Sequence, residues 1–255
     1  MPHLPTNIPT LLPVIEIELS NKLHTASIIW LHGLGATGDD FASLVPELKN
    51  MWQQEDMNQQ GGSKHETDFD NIRFIFPHAA EIPVTINGGA SMPAWYDILD
   101  MPTQVQPGQS AERKINQSQL LASAKDIQNL IDREIERGIK SERILVLGFS
   151  QGGAVAYHAA LTYPQPLAGL AGLSTYFPIL TSPHEFIASK QNQNIDIQIY
   201  HGTQDGVVAP SLGLKAQADL AALGYQTQYQ DYPMEHQVCY EQVQDITQWI
   251  QARLN

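Results

Sequence analysis

At 255 residues, with 42% hydrophobic and 16% charged residues, the chain can build one large α/β domain with a substantial core, and it is too apolar to be disordered. A formal charge of −13 argues against nucleic acid and against broad attachment to anionic lipid, because both need clustered Lys and Arg. Cys239 is the only cysteine, which makes an intramolecular disulfide impossible and fits a reducing compartment.

Met1 to Leu12 holds three prolines and no Lys or Arg, unlike a secretory leader. No apolar run nears the ~20 residues of a spanning helix. A cytoplasmic protein without stable membrane insertion is the expectation. Val14 to Leu19 alternates apolar and polar residues, the period of a half-exposed edge strand. Ser27 to Leu31 is continuously apolar, as a strand covered on both faces should be, and it runs into a glycine-rich turn. A helix capped by Asp39 or Asp40 follows. Residues 51–70, rich in Gln, Asn, Asp and Gly without periodicity, read as a polar surface insertion. Ile72 to Phe76 is a further buried strand, stopped by Pro77.

Residues 78–108 show no helix or strand period and contain Pro83, Pro93, Pro102, Pro107 and Gly88-Gly89. A loop of that length in a compact domain is usually functional. From Ser110 to Gly138 a helix is predicted: Ile115, Leu120, Leu121, Ile127, Leu130, Ile131 and Ile135 fall largely on one face, and Arg137 and Gly138 end it. Strands at Ile144 to Phe149, Leu167 to Leu173, Ile195 to Tyr200 and Gln226 to Tyr232 then alternate with helices from Gly153, over Ser211 to Leu223, and over Val238 to Leu254. That alternation predicts an α/β fold, a mostly parallel central sheet covered by helices on both faces, in a single domain over residues 1–255.

The turn after Ile144 to Phe149 reads Gly148-Phe149-Ser150-Gln151-Gly152. G-x-S-x-G placed strand–turn–helix is the nucleophile elbow of α/β-hydrolases: the bend strains the serine, and only glycine lets strand and helix pass so closely. A serine hydroxyl needs a base and a group that orients the base, and in this fold they arrive in the order Ser, then Asp or Glu, then His. Asp205, just past the Ile195 to Tyr200 strand, and His236, just past the last strand, meet that order at the edge of the sheet that carries the elbow. Asp196 and Asp231 lie in or near the ends of strands, and Glu235 adjoins His236 in sequence, so Asp205 is the predicted orienter. His32, His78, His158, His184 and His201 have no such order behind them and read as packing or surface residues. Main-chain N–H groups supply an oxyanion hole, here Gln151 after the nucleophile and Leu34 in His32-Gly33-Leu34-Gly35.

The same loop, Gly33-Leu34-Gly35-Ala36-Thr37-Gly38, is a formal G-x-G-x-x-G after a strand, so a dinucleotide-binding oxidoreductase stands as an alternative. Its acidic residue about 20 positions on would fall at Glu55 or Asp56, well before the next strand, which weighs against it. A catalytically silent hydrolase-fold binding protein is a third reading, although no triad member is missing. No H-E-x-x-H or C-x-x-C spacing suggests a metal, and Cys239 reads as a packed small hydrophobe.

Five motifs in order carry a closer likeness: Leu31-His32-Gly33-Leu34-Gly35-Ala36-Thr37-Gly38; Ile86-Asn87-Gly88-Gly89 with Met92-Pro93-Ala94-Trp95-Tyr96-Asp97-Ile98; the elbow; His201-Gly202 with Asp205 and Val208; and Tyr232 with Met234 and His236. From Ile28 to its C-terminus the chain resembles the phospholipase/carboxylesterase family of serine hydrolases, which includes acyl-protein thioesterases and bacterial carboxylesterases. The resemblance implies hydrolysis of carboxylic esters, with thioesters and lysophospholipids left open, by a Ser150, Asp205 and His236 triad and without a cofactor. It implies Leu34 and Gln151 as oxyanion donors, and a flap over residues 78–108 whose Met92 and Trp95 border an apolar acyl channel that Val207 also lines. For Trp95 an ordinary core position stands equally open. The implied partner is a small acyl-ester or thioester substrate; acylated protein, lysophospholipid and a homodimer stay open. Residues 51–70 are longer and more polar than that family leads one to expect, which leaves substrate choice unfixed.

Overall fold

In the computed structural model, residues 11–58, 68–101, 113–180 and 188–255 are described. The chain opens with β1 (Val14–Glu18), half-buried, and β2 (Ala26–Leu31), buried throughout. A glycine turn leads to the short helix α1 (Asp39–Ala42) and then to α2 (Val45–Asn58). Next come β3 (Ile72–Pro77), β4 (Glu81–Val84), β5 (Ala90–Pro93), β6 (Ile98–Asp100) and β7 (Lys114–Ile115). The remainder alternates: α3 (Gln117–Glu136), β8 (Ile144–Phe149), α4 (Gln151–Leu161) and β9 (Gly169–Leu173). It ends with β10 (Ile197–Gly202), α5 (Pro210–Ala222), β11 (Thr227–Tyr232) and α6 (Tyr240–Leu254).

One sheet runs in the order β1-β3-β2-β8-β9-β10-β11. Only β1 is antiparallel, setting Val14 against Pro77 and Glu18 against Arg73; the other pairs are parallel. The two-residue period of the strands divides their side chains between two cores. Ile29, Leu31, Val146, Leu170 and Ile199 cluster with Ile127 of α3, Val155 of α4 and Leu220 of α5. Ile28, Trp30, Phe74, Leu147 and Leu173 cluster with Phe41 of α1, Leu48 of α2 and Ile246 of α6. Cover on both faces is the reason these strands read as unbroken apolar runs. Parallel strands also end at one edge, and there β2, β8, β10 and β11 deliver Leu34, Ser150, Asp205 and His236.

Four segments depart from the sequence reading. Residues 51–70 are not a surface insertion throughout: Met51 and Trp52 are buried in α2, and Trp52 meets Phe69 edge-on with ring centres 5.4 Å apart. The Thr247 hydroxyl of α6, which donates to the Val243 carbonyl at 2.8 Å, lies 3.8 Å from the Met51 sulfur. Val45, Leu48 and Trp52 keep the i, i+3, i+7 spacing of a core stripe, and Gln53 and Gln54 are merely its solvent side. Residues 59–67 lie outside the described residues.

The 78–108 stretch does contain strands. β4 and β5 form a hairpin that pairs Ile82 with Met92, turned at Thr85–Asn87 and by Gly88 and Gly89 at φ 66° and 79°. Pro83 and Pro93 fit because a two-stranded ribbon has two free edges. Asp97 staples the turn, accepting from the N–H (2.7 Å) and hydroxyl (2.6 Å) of Thr85. Residues 102–108 lie outside the described residues, as does Ser110. Helix α3 begins only at Gln117, because the Asn116 side chain caps it by accepting the Gln119 N–H (3.2 Å) and Ile115 is used by β7. Finally, Gly38 occupies the N-cap of α1, so Asp39 and Asp40 fall in its first turn and neither caps it. Among the described residues no helix is long and apolar enough to cross a membrane.

Candidate active site

Ser150 sits at φ 53° and ψ −120°, off the end of β8 and at the N-cap of α4. The bend is held from both sides. Its N–H donates to the Leu173 carbonyl at 2.8 Å, and its own carbonyl accepts the Thr175 hydroxyl at 2.6 Å. A Cβ on Gly152 would lie 2.8 Å from the Leu31 Cβ, and one on Gly153 would lie 2.7 Å from the Thr175 Cβ. Close approach, rather than a positive φ, therefore dictates these two glycines.

From this elbow Ser150 Oγ reaches His236 Nε2 at 2.9 Å, and His236 Nδ1 reaches Asp205 Oδ2 at 2.7 Å. With Nδ1–H donating to the carboxylate, Nε2 is left as the basic nitrogen, placed where it can accept a proton from the serine hydroxyl. The other Asp205 oxygen accepts the N–H groups of Val207 (2.9 Å) and Val208 (2.8 Å). Burial by itself would raise the Asp205 carboxyl, but the bonds from His236, Val208 and Val207 outweigh it and hold it below its ordinary value. Phe149 lies against the His236 ring, centre to centre 4.7 Å, and fixes its plane. His201 is buried beside Asp205 and donates through Nε2 to the Val208 carbonyl at 2.8 Å. Burial lowers its proton affinity, and its Nε2 lies 3.6 Å from Asp205 Oδ2, farther than His236 Nδ1.

Gln151 opens α4, where no residue four positions back can accept its N–H. Gln151 and Leu34 border, together with Ser150 and His236, a cavity of about 660 Å³. Its walls are largely apolar, among them Ile86, Ile98, Phe149, Val207 and Val238, with the Arg113 guanidinium on one side. Val207 thus stands on the wall. Met92 and Trp95 do not: the Met92 sulfur accepts from Asn87 Nδ2 at 3.1 Å, and Trp95 is buried behind the site. The core position left open for Trp95 is the one it occupies. Sequence reasoning gave no role to Phe149, although it precedes the serine in the elbow, nor to Ile86 and Ile98, which stand at the two ends of the second motif, and it missed Arg113, which no motif marks.

The other histidines have structural partners. His32 is fully buried, donating through Nδ1 to the Gly33 carbonyl (2.7 Å) and accepting the Ala79 N–H at Nε2 (3.0 Å). His78 accepts the Gly38 N–H at 3.3 Å, and His158 donates to the Pro178 carbonyl at 2.9 Å; His184 lies outside the described residues. Asp196 is occupied by the Trp249 indole N–H at 2.8 Å. Cys239 is half-buried, and burial pushes its thiol up, away from the reactive thiolate. The glycine-rich loop leads into a four-residue helix with Asp39 and Asp40 in its first turn, where a dinucleotide's pyrophosphate would meet like charge. Among the described residues no three His, Cys, Asp or Glu side chains converge as a metal site requires.

Residues 12–254 match the family model described as phospholipase/carboxylesterase. The chain belongs to that family. This member of the phospholipase/carboxylesterase family is 34% identical over 233 residues to acyl-protein thioesterase 1 of Neurospora crassa, covering 91% of the chain and 88% of the relative. With acyl-protein thioesterase 1 of Schizosaccharomyces pombe the identity is 36% over 212 residues, 83% of the chain and 82% of the relative. Among solved structures it superposes on SOBER1 of Arabidopsis thaliana with a TM-score of 0.74 at 29% identity, over 91% of this chain and 100% of that one. Acyl-protein thioesterase 2 of Zea mays superposes with a TM-score of 0.71 at 25% identity, over 95% and 99% of the two chains. The protein is accordingly a carboxylic ester hydrolase with the α/β-hydrolase fold.

Proposed function

We propose that this phospholipase/carboxylesterase family member cleaves the ester and thioester bonds of apolar acyl groups through an acyl-enzyme on Ser150. The observation that supports this reading is the unbroken run of hydrogen bonds from Asp205 through His236 to Ser150, ending at the mouth of an apolar cavity. His236 takes the serine proton as Oγ bonds to the acyl carbon, and the carbonyl π pair moves onto oxygen. The N–H groups of Leu34 and Gln151 receive that charge. When the pair returns, the bond to the alcohol or thiol breaks and His236 protonates the leaving atom. Water then repeats the sequence on the acyl-enzyme and frees the acid. Every proton in this cycle moves on His236, with Asp205 holding the ring and stabilising its charged form.

Val207 is the proposed wall contact for the acyl chain. Acylated proteins are proposed as thioester substrates on the strength of the acyl-protein thioesterase relatives. A cytoplasmic location and a single domain spanning residues 1–255 complete the reading. A p-nitrophenyl ester panel from acetate to palmitate, run beside an acyl-thioester, tests it. Saturable turnover is expected on apolar acyl groups, falling by several orders of magnitude in kcat in a folded Ser150→Ala. A folded wild-type protein that no fluorophosphonate labels would instead be a silent binding protein.

A further inference from the structure

The segment from Pro93 to Tyr96 stands off the cavity wall, yet it is bonded to both loops that carry the proposed oxyanion donors. The Trp95 indole N–H donates to the His32 carbonyl at 2.8 Å, and the Pro93 carbonyl accepts the Gly35 N–H at 2.8 Å. Leu34 lies between these two anchors, so its peptide is fixed from either side. Toward the elbow, the Trp95 main-chain N–H donates to Gln151 Oε1 at 2.8 Å, and Gln151 Nε2 donates to the Tyr96 carbonyl at 2.7 Å. Trp95 is itself backed by the Ser123 hydroxyl on its carbonyl and by the His32 ring, 5.0 Å away centre to centre.

We propose that Trp95 is a positioning residue for the reaction: through His32 and Gln151 it sets the spacing and aim of the Leu34 and Gln151 N–H groups. The inference rests on the serine-hydrolase reading above. Main-chain donors cannot re-aim by changing rotamer, so their direction is only as good as the groups that clamp the two loops. Donors that stabilise an oxyanion act by being aimed in advance, and a displacement of about 1 Å can cost on the order of 100-fold. Phenylalanine at this position would keep an aromatic ring in the core while removing the indole donor and part of the ring volume.

Trp95→Phe and Gln151→Met, the latter keeping the Gln151 main-chain N–H but not its side-chain bonds, are compared with wild type. For each, kcat per active site titrated with a fluorophosphonate is measured, together with KM, Tm and inhibition by an acyl trifluoromethyl ketone. That ketone adds to Ser150 to form a tetrahedral oxyanion. The expected result is a loss of about 10- to 100-fold in kcat with KM changed less than about threefold. Ketone affinity should weaken by the same factor as kcat/KM. A merely structural role would lower Tm and the number of titrated sites while leaving kcat per site and ketone affinity unchanged, and that result overturns the proposal. Should Trp95→Phe not fold, Gln151→Met decides by the same measurements. Wild type without ester turnover overturns the functional reading and this inference with it, whereas active wild type beside unaffected variants overturns the inference alone.

Discussion

Ser150 presents its hydroxyl to His236 because its backbone is held at φ 53° and ψ −120°, where a residue with a side chain is strained by roughly 1–3 kcal/mol. The bonds to Leu173 and Thr175 keep it there. Two variants at this position separate that strain from the hydroxyl's own contacts. Ser150→Ala and Ser150→Gly both lose the bond to His236, but only glycine relaxes the backbone. Ser150→Gly should therefore unfold at a higher temperature than Ser150→Ala, by the equivalent of about 1 kcal/mol in calorimetry. Identical melting of the two would mean that the elbow stores no strain at this residue.

At the level of elements, the strands of the central sheet and the proposed reacting groups were legible, and of the cavity wall only Val207 was. Ile28 to Leu31 and Ile144 to Leu147 announce buried parallel strands because both faces are covered. Ser150, Asp205 and His236 follow from chain order because parallel strands must end at one edge. Helix α2 was hidden by composition: Gln53 and Gln54 outweighed a three-residue stripe that only its contact with α6 makes decisive. The β4–β5 hairpin was hidden by its prolines, and the cavity wall joins Ile86, Arg113 and Val207 through contacts far apart in the chain, such as the Arg113 guanidinium donating to the Val207 carbonyl. The reassignment of α2 has a measurable consequence. Trp52→Ala should cost about 3–5 kcal/mol in urea unfolding, as a core truncation does, with turnover per folded molecule retained. A change within about 0.5 kcal/mol would return this stretch to the surface.

Taken whole, the molecule buries several histidines where a proton is bound less readily than in water. Burial is the main cause that lowers His24, His32 and His201, and it takes His158 down to about 4. Each would bind a proton near 6.5 in the unfolded chain and does so later in the fold. Below about 6.5 the unfolded state therefore holds more protons, so stability falls as pH drops toward the folded values. His158 alone accounts for roughly 3 kcal/mol of that decline. Glu16, lowered chiefly by its bond from Arg137, adds a loss in the same direction, but only below the unfolded carboxylate range near pH 4.5. Melting temperature should thus decline from pH 7 to 5, before carboxylates titrate, and less steeply in His158→Gln; a flat curve over that interval would contradict the assignment. The cavity carries a consequence of another kind. Ser150, His236 and the peptide N–H groups of Leu34 and Gln151 follow the ends of strands that the whole core braces, whereas Ile86, Val207 and Val238 lie outside the strands of the central sheet. On the proposed reading, exchanging those few outlying residues would alter the space offered to an acyl chain while the strand ends that hold Ser150 and His236 stay as they are.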